Sequence, residues 1–129
     1  MIKLNETAPD FDLLDQNSEM HSLSQYVGQW VLLYFYPKDE TLGCTEEAQA
    51  FQDKLDEFRK MDVQILGVSA DSTLSHQRFA SKYGLDFPLL SDQNLQVAQK
   101  YGVAEELYAR RTSFLIARDN SIFKIYEKI

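Results

Sequence analysis

Trp30-Val31-Leu32-Leu33-Tyr34-Phe35-Tyr36-Pro37 is the stretch on which the fold turns. From Trp30 to Tyr36 every residue is apolar or aromatic, the pattern of a strand covered on both faces. Pro37 has no N–H to give a neighbouring strand and ends it. Downstream, Ala48, Phe51, Leu55, Phe58 and Met61 recur at spacings of three and four with polar residues between, which predicts one amphipathic helix from Thr45 to about Met61. Val63-Gln64-Ile65-Leu66-Gly67-Val68-Ser69 then reads as a second buried strand. Strand, helix and strand make a βαβ unit, whose crossover is right-handed and whose strands are parallel.

Further along, residues 74–83 carry a helix capped by Ser72 or Thr73 and stopped at Gly84, and residues 95–101 carry a short helix stopped at Gly102. Residues 113–117 and 122–126 read as strands joined by Arg118-Asp119-Asn120-Ser121, a closing hairpin. Upstream, the alternation Phe11-Asp12-Leu13-Leu14 followed by Asp15-Gln16-Asn17-Ser18 predicts an N-terminal hairpin. The class is therefore α/β. A flavodoxin-like sheet also begins with βαβ, but the closing hairpin favours a thioredoxin-like sandwich: a central mixed sheet flanked by helices.

A chain of 129 residues is expected to form one domain over residues 1–129, with a core that needs neither disulfide nor metal. The longest apolar run is far shorter than the roughly 20 residues that cross a bilayer, so no membrane partner is expected. Met1-Ile2-Lys3-Leu4-Asn5-Glu6 lacks the apolar region of a secretory leader, and a cytoplasmic location is the expectation. A net charge of −7 without a basic stripe argues against nucleic acid. The local exception is the basic step Arg110-Arg111, just before an apolar strand.

The sequence holds one cysteine, Cys44. The loop Pro37-Lys38-Asp39-Glu40-Thr41-Leu42-Gly43-Cys44 follows the central strand, where open α/β sheets bind ligands. At the first turn of a helix, unpaired N–H groups and the helix dipole stabilise a thiolate, the nucleophilic form. A small buried hydrophobe is the alternative for a lone intracellular cysteine, and position by itself leaves both open. His21 and His76 have no partner at metal-ligand spacing; they read as surface histidines, and no metal or cofactor is expected. Tyr34, Phe35 and Tyr36 read as strand core.

The string from Phe35 to Ala48, with its Pro-x-x-x-Thr-x-x-Cys spacing, resembles the peroxidatic loop of peroxiredoxins of the bacterioferritin comigratory protein branch. Ala8-Pro9-Asp10-Phe11, Phe87-Pro88-Leu89-Leu90-Ser91-Asp92 and Arg111-Thr112-Ser113-Phe114-Leu115-Ile116 extend the resemblance over most of the chain. It implies a thiol peroxidase in which Cys44 is the peroxidatic cysteine, Thr41 hydrogen-bonds thiolate and peroxide, and Pro37 shields the pocket from water. Arg111, rather than its neighbour Arg110, completes the site, and Glu47 orients it or merely favours the helix dipole. Many such relatives have a resolving cysteine five residues on; Gln49 stands there, which implies a one-cysteine cycle with an external thiol such as thioredoxin, glutaredoxin or a low-molecular-weight thiol. Leu42 replaces the usual proline. Relatives also continue into a closing helix after the position of Ile129, so an open sheet face and a monomer or weak homodimer are expected. A peroxide sensor that forms mixed disulfides, or a non-catalytic scaffold, are the other classes.

Overall fold

The computed structural model describes residues 2–127. Its centre is a five-stranded sheet in the order β5-β4-β3-β6-β7: β3 is Trp30–Phe35, β4 Val63–Ser69, β5 Leu89–Ser91, β6 Thr112–Ile116 and β7 Ile122–Glu127. β3, β4 and β5 run parallel, whereas β6 and β7 are antiparallel to their neighbours, so the sheet is mixed as expected. A separate antiparallel hairpin joins β1 (Asp12–Leu14) to β2 (Met20–Ser22), around the turn formers picked out in the sequence.

The continuous apolar run earns its place at the centre because both faces of β3 are covered. Val31, Leu33 and Phe35 point into a core shared with Leu66, Val68, Phe114 and Ile116, while Leu32, Tyr34 and Tyr36 point into one shared with Ile65, Phe79 and Phe87. Each large apolar side chain so buried contributes about 1.5–3 kcal/mol relative to exposure. The second core is closed by helices α1 (Leu42–Asp53), α2 (Leu55–Lys60) and α3 (Thr73–Tyr83), the first by α4 (Gln96–Lys100) and the N-terminal segment.

Three expectations about the secondary-structure elements are corrected. The single helix over residues 45–61 is two, interrupted at Lys54 (φ −103°, ψ 6°), whose N–H donates to Phe51 O instead of continuing the i−4 ladder. The apolar spacing runs through the break unchanged, which is why the sequence pattern does not register it. α1 also begins earlier, at Leu42, and Cys44 lies in its first turn, as the sequence placed it. β5 was not expected as a strand: at three residues, right after Pro88, it is too short to show a period.

Both histidines expected at the surface are buried, His76 completely and His21 at 8% exposure. Each meets a carboxylate: His21 that of Asp15 across the turn of its own hairpin, and His76 that of Asp39, 37 residues away in the loop after β3. In the hairpin, Asp15 Oδ2 lies 2.7 Å from His21 Nε2, and Asp15 Oδ1 accepts from the N–H groups of Asn17 (2.8 Å) and Glu19 (3.0 Å). Burial pushes the Asp15 pKa up, but His21 and those N–H groups outweigh it and hold the carboxyl below its usual range. A depressed folded-state pKa gives stability that is present above the ordinary carboxylate value of about 3.9 and lost as pH falls through the folded value. Asp15→Asn should therefore cost about 1–2 kcal/mol at pH 7. In thermal melts the gap between variant and parent should close as pH falls through the depressed folded-state pKa of Asp15; a gap independent of pH would refute the charge argument.

Candidate active site

The reactive loop begins where β3 runs out and turns sharply at Glu40, which sits in the left-handed region (φ 65°). Thr41 follows in an extended conformation as the residue before α1, and the N–H of Thr45 closes the first turn onto Thr41 O at 2.9 Å. The N–H groups of Leu42, Gly43 and Cys44 thus precede the helical ladder, and Cys44, 1% exposed, lies among them. A threonine in this place ordinarily caps such groups with its oxygen. Here the Thr41 hydroxyl turns back and donates to Lys38 O at 2.9 Å, leaving its side chain out of the cap.

Arg111 reaches the same point from the neighbouring strand. β6 pairs with β3 so that Thr112 lies opposite Phe35, which sets Arg111 at the end of β3 beside the loop. Its Nη2 donates to Cys44 Sγ at 3.1 Å and its Nη1 donates to Glu47 Oε1 at 2.6 Å. Cys44 and Glu47 are three residues apart on α1 and share a face, so one guanidinium spans both. Partial burial pulls the Arg111 pKa down, but Cys44 and Glu47 outweigh it and leave it raised, so the group stays a cation. Arg110, pointing the other way, donates instead to Glu105 Oε1 and Gly102 O on the surface.

Gly43 makes this approach possible. A Cβ there would stand 3.1 Å from Arg111 Nη2, against a guanidinium already held at both ends. Gly43→Ala should slow oxidation of Cys44 by hydrogen peroxide about tenfold, equivalent to roughly 1.4 kcal/mol of barrier. Rapid-mixing kinetics with an unchanged melting temperature would separate this from loss of fold; a rate equal to the parent's would show that Arg111 moves at no cost.

Behind the cysteine, Tyr34 fills the core with its hydroxyl buried and, among the described residues, without a hydrogen-bond partner. Burial, and the charges of Glu47, Asp39 and Cys44, drive its pKa well above the usual tyrosine value, so it stays neutral. Pro37 lines a cavity of about 430 Å³ with Lys38, Ala70, Asp71, Leu107 and Tyr108. A second groove, of about 1020 Å³, runs from Gly43 and Arg111 along Leu32, Phe58, Leu115 and Tyr126.

The structure therefore brings together Cys44, Arg111 and Glu47. One expected contact differs: the hydroxyl of Thr41 gives its proton to Lys38 O, not to Cys44, because the turn at Glu40 folds Thr41 over that carbonyl. Sequence reasoning missed Asp39, Ser75 and His76, which cluster beneath the loop; spacing carries no signal for them, since they lie 36 and 37 residues apart.

The AhpC/TSA family model matches residues 4–125. The chain belongs to the AhpC/TSA family. Among peroxiredoxins, it is 40% identical over 123 residues to the chloroplastic peroxiredoxin Q of Sedum lineare, a match covering 93% of this chain and 66% of that protein. The chain thus spans just under two thirds of that plant relative. To the putative peroxiredoxin bcp of Coxiella burnetii it is 40% identical, covering 99% of this chain and 90% of that one. The solved structure of the bacterioferritin comigratory protein of Xanthomonas campestris, a study of its alkyl peroxide reduction, superposes with a TM-score of 0.91 at 32% identity, covering 100% and 87% of the two chains. The architecture is the thioredoxin-like peroxiredoxin fold.

Proposed function

We propose that this chain is a thiol peroxidase in which Cys44 reduces hydrogen peroxide and organic hydroperoxides. The observation that carries the reading is the Arg111 guanidinium 3.1 Å from Cys44 Sγ, at the first turn of a helix. The thiolate attacks one peroxide oxygen in line: the S–O bond forms as the O–O bond breaks, and the departing hydroxide or alkoxide takes a proton. Cys44 is left as a sulfenic acid. Negative charge moves from sulfur to the leaving oxygen, and fixed donors stabilise it most in the transition state. Arg111 supplies such donors, and Glu47 holds it in place. Because the Thr41 proton is committed to Lys38 O, the Thr41 oxygen acts as an acceptor and orients the O–H of the incoming peroxide. Pro37 limits water at the loop's edge.

Recycling follows a one-cysteine route. An external thiol attacks the Cys44 sulfenic acid, water leaves and a mixed disulfide forms; a second thiol releases Cys44 and carries off the disulfide. Thioredoxin, glutaredoxin or a low-molecular-weight thiol fits this role. Gln49, exposed on α1, offers no sulfur of its own. The lone cysteine also suits a sensor that stops at the mixed disulfide.

The test is rapid mixing of the reduced chain with hydrogen peroxide and with an alkyl hydroperoxide, mass analysis of the product, and then turnover with each class of thiol. Reaction orders of magnitude faster than a free thiol, an added oxygen on Cys44 and many equivalents consumed per chain are expected. Arrest after about one equivalent with every donor would favour the sensor. A rate no faster than free cysteine would overturn the reading.

A further inference from the structure

Beneath the reactive loop lies a buried polar cluster to which the proposed chemistry assigns no role. Asp39, 5% exposed, sits two residues before Thr41, and His76 on α3 is fully buried. Asp39 Oδ1 accepts from the Tyr36 hydroxyl at 2.6 Å, and Oδ2 accepts from Ser75 Oγ at 2.8 Å and lies 2.7 Å from His76 Nδ1. The other ring nitrogen, Nε2, faces Leu90 O at 3.0 Å. A carbonyl can only accept, so Nε2 carries a proton, and a further proton lies between Nδ1 and Oδ2. The Asp39 N–H donates to Asp71 Oδ2 at 2.8 Å, and that oxygen also accepts from Ser69 Oγ at 2.7 Å. Asp39 is thus tied through both side chain and backbone to the end of β3, to α3 and to the segment after β4.

We propose that Asp39, paired with His76, is the positioning residue of the reactive loop, and that it sets the orientation of Thr41; this rests on the peroxidase reading of Cys44. The linkage is short. Asp39 fixes the backbone on one side of Lys38, β3 fixes it on the other, and the Lys38 carbonyl so held takes the Thr41 proton at 2.9 Å. Thr41 then presents an oxygen to peroxide and starts α1 at the register that puts Cys44 beside Arg111. A buried carboxylate is costly unless every oxygen is satisfied, and here each one is. Without the Asp39 carboxylate, the loop keeps its covalent ends and the residue-39 N–H bond to Asp71 but loses the three side-chain bonds to Tyr36, Ser75 and His76, and the Lys38 carbonyl is free to swing away from Thr41.

The test uses two readouts on the same variants: amide hydrogen exchange over residues 38–44, and the rate of Cys44 oxidation by hydrogen peroxide. Asp39→Ala should raise exchange in that segment about tenfold or more and slow oxidation by a similar factor, at a temperature where the protein remains folded. Asp39→Asn, which offers an acceptor to Tyr36 and a donor to a neutral His76, should recover most of both losses. Asp15→Asn breaks the other buried aspartate–histidine pair, away from the loop, and should leave both readouts at the parent's values even where it lowers the melting temperature. Ser75→Ala removes a single bond to Asp39 and should raise exchange two- to threefold. Native exchange and rate in folded Asp39→Ala would overturn the proposal; if that variant does not fold, native exchange in Ser75→Ala would do so. Should the parent itself react no faster than free cysteine, the peroxidase reading fails, and exchange by itself still decides whether Asp39 holds the loop.

Discussion

Cys44→Ser is expected to end peroxide consumption, because a serine hydroxyl is far less ionised than a thiol and cannot be oxidised to a sulfenic acid. The substitution replaces sulfur by a smaller oxygen at a residue 1% exposed, so a modest loss of stability accompanies it. Coupled peroxide assays with an excess of thiol would read the loss, and circular dichroism would show the fold retained. Since the sequence holds no other cysteine, nothing remains in the variant to carry residual turnover. Peroxide consumption at the parent's rate would mean that Cys44 is core filling.

Arg111→Ala is expected to lower the second-order rate of Cys44 oxidation about 100- to 1000-fold, the effect of removing one preorganised donor from a developing anion. Nη2 meets the sulfur at 3.1 Å while Nη1 is fixed by Glu47 at 2.6 Å, so no reorganisation is needed as charge moves to the leaving oxygen. Arg111→Lys should recover only part of the rate, because an ammonium cannot span the sulfur and the carboxylate in the planar fork. Glu47→Gln loosens one end of the fork and should cost less than Arg111→Ala. In the double variant the two losses should not add, since Glu47 acts through the guanidinium. Stopped-flow kinetics on the four proteins closes the cycle. Additive losses would place Glu47 in an independent role, the helix-dipole alternative.

The strand Trp30–Phe35 and the helix that follows Cys44 were legible because burial on both faces and an apolar stripe are periodic signals carried by neighbouring residues. The ends of elements were less legible. α1 starts at Leu42, ahead of its first apolar contact, because the turn at Glu40 and the extended Thr41 launch it, and those are backbone conformations that periodicity does not encode. The break at Lys54 was silent for the complementary reason: the stripe continues across it.

By itself the sequence determined the α/β class, the position of its one cysteine at a helix start after a central strand, and the motif that distinguishes Arg111 from Arg110. Tertiary structure alone decided the contacts. Arg111 meets a sulfur 67 residues away because β6 pairs with β3 in one register, and shifting that register by one residue would turn its side chain to the opposite face. Asp39 meets His76, 37 residues on, only because α3 packs over the end of β3. The Thr41 hydroxyl chose the Lys38 carbonyl over the sulfur once the turn had brought that carbonyl within 2.9 Å. Local patterns encode which faces are buried; which polar groups meet across those faces depends on register and packing, and these exist only once the sheet has formed.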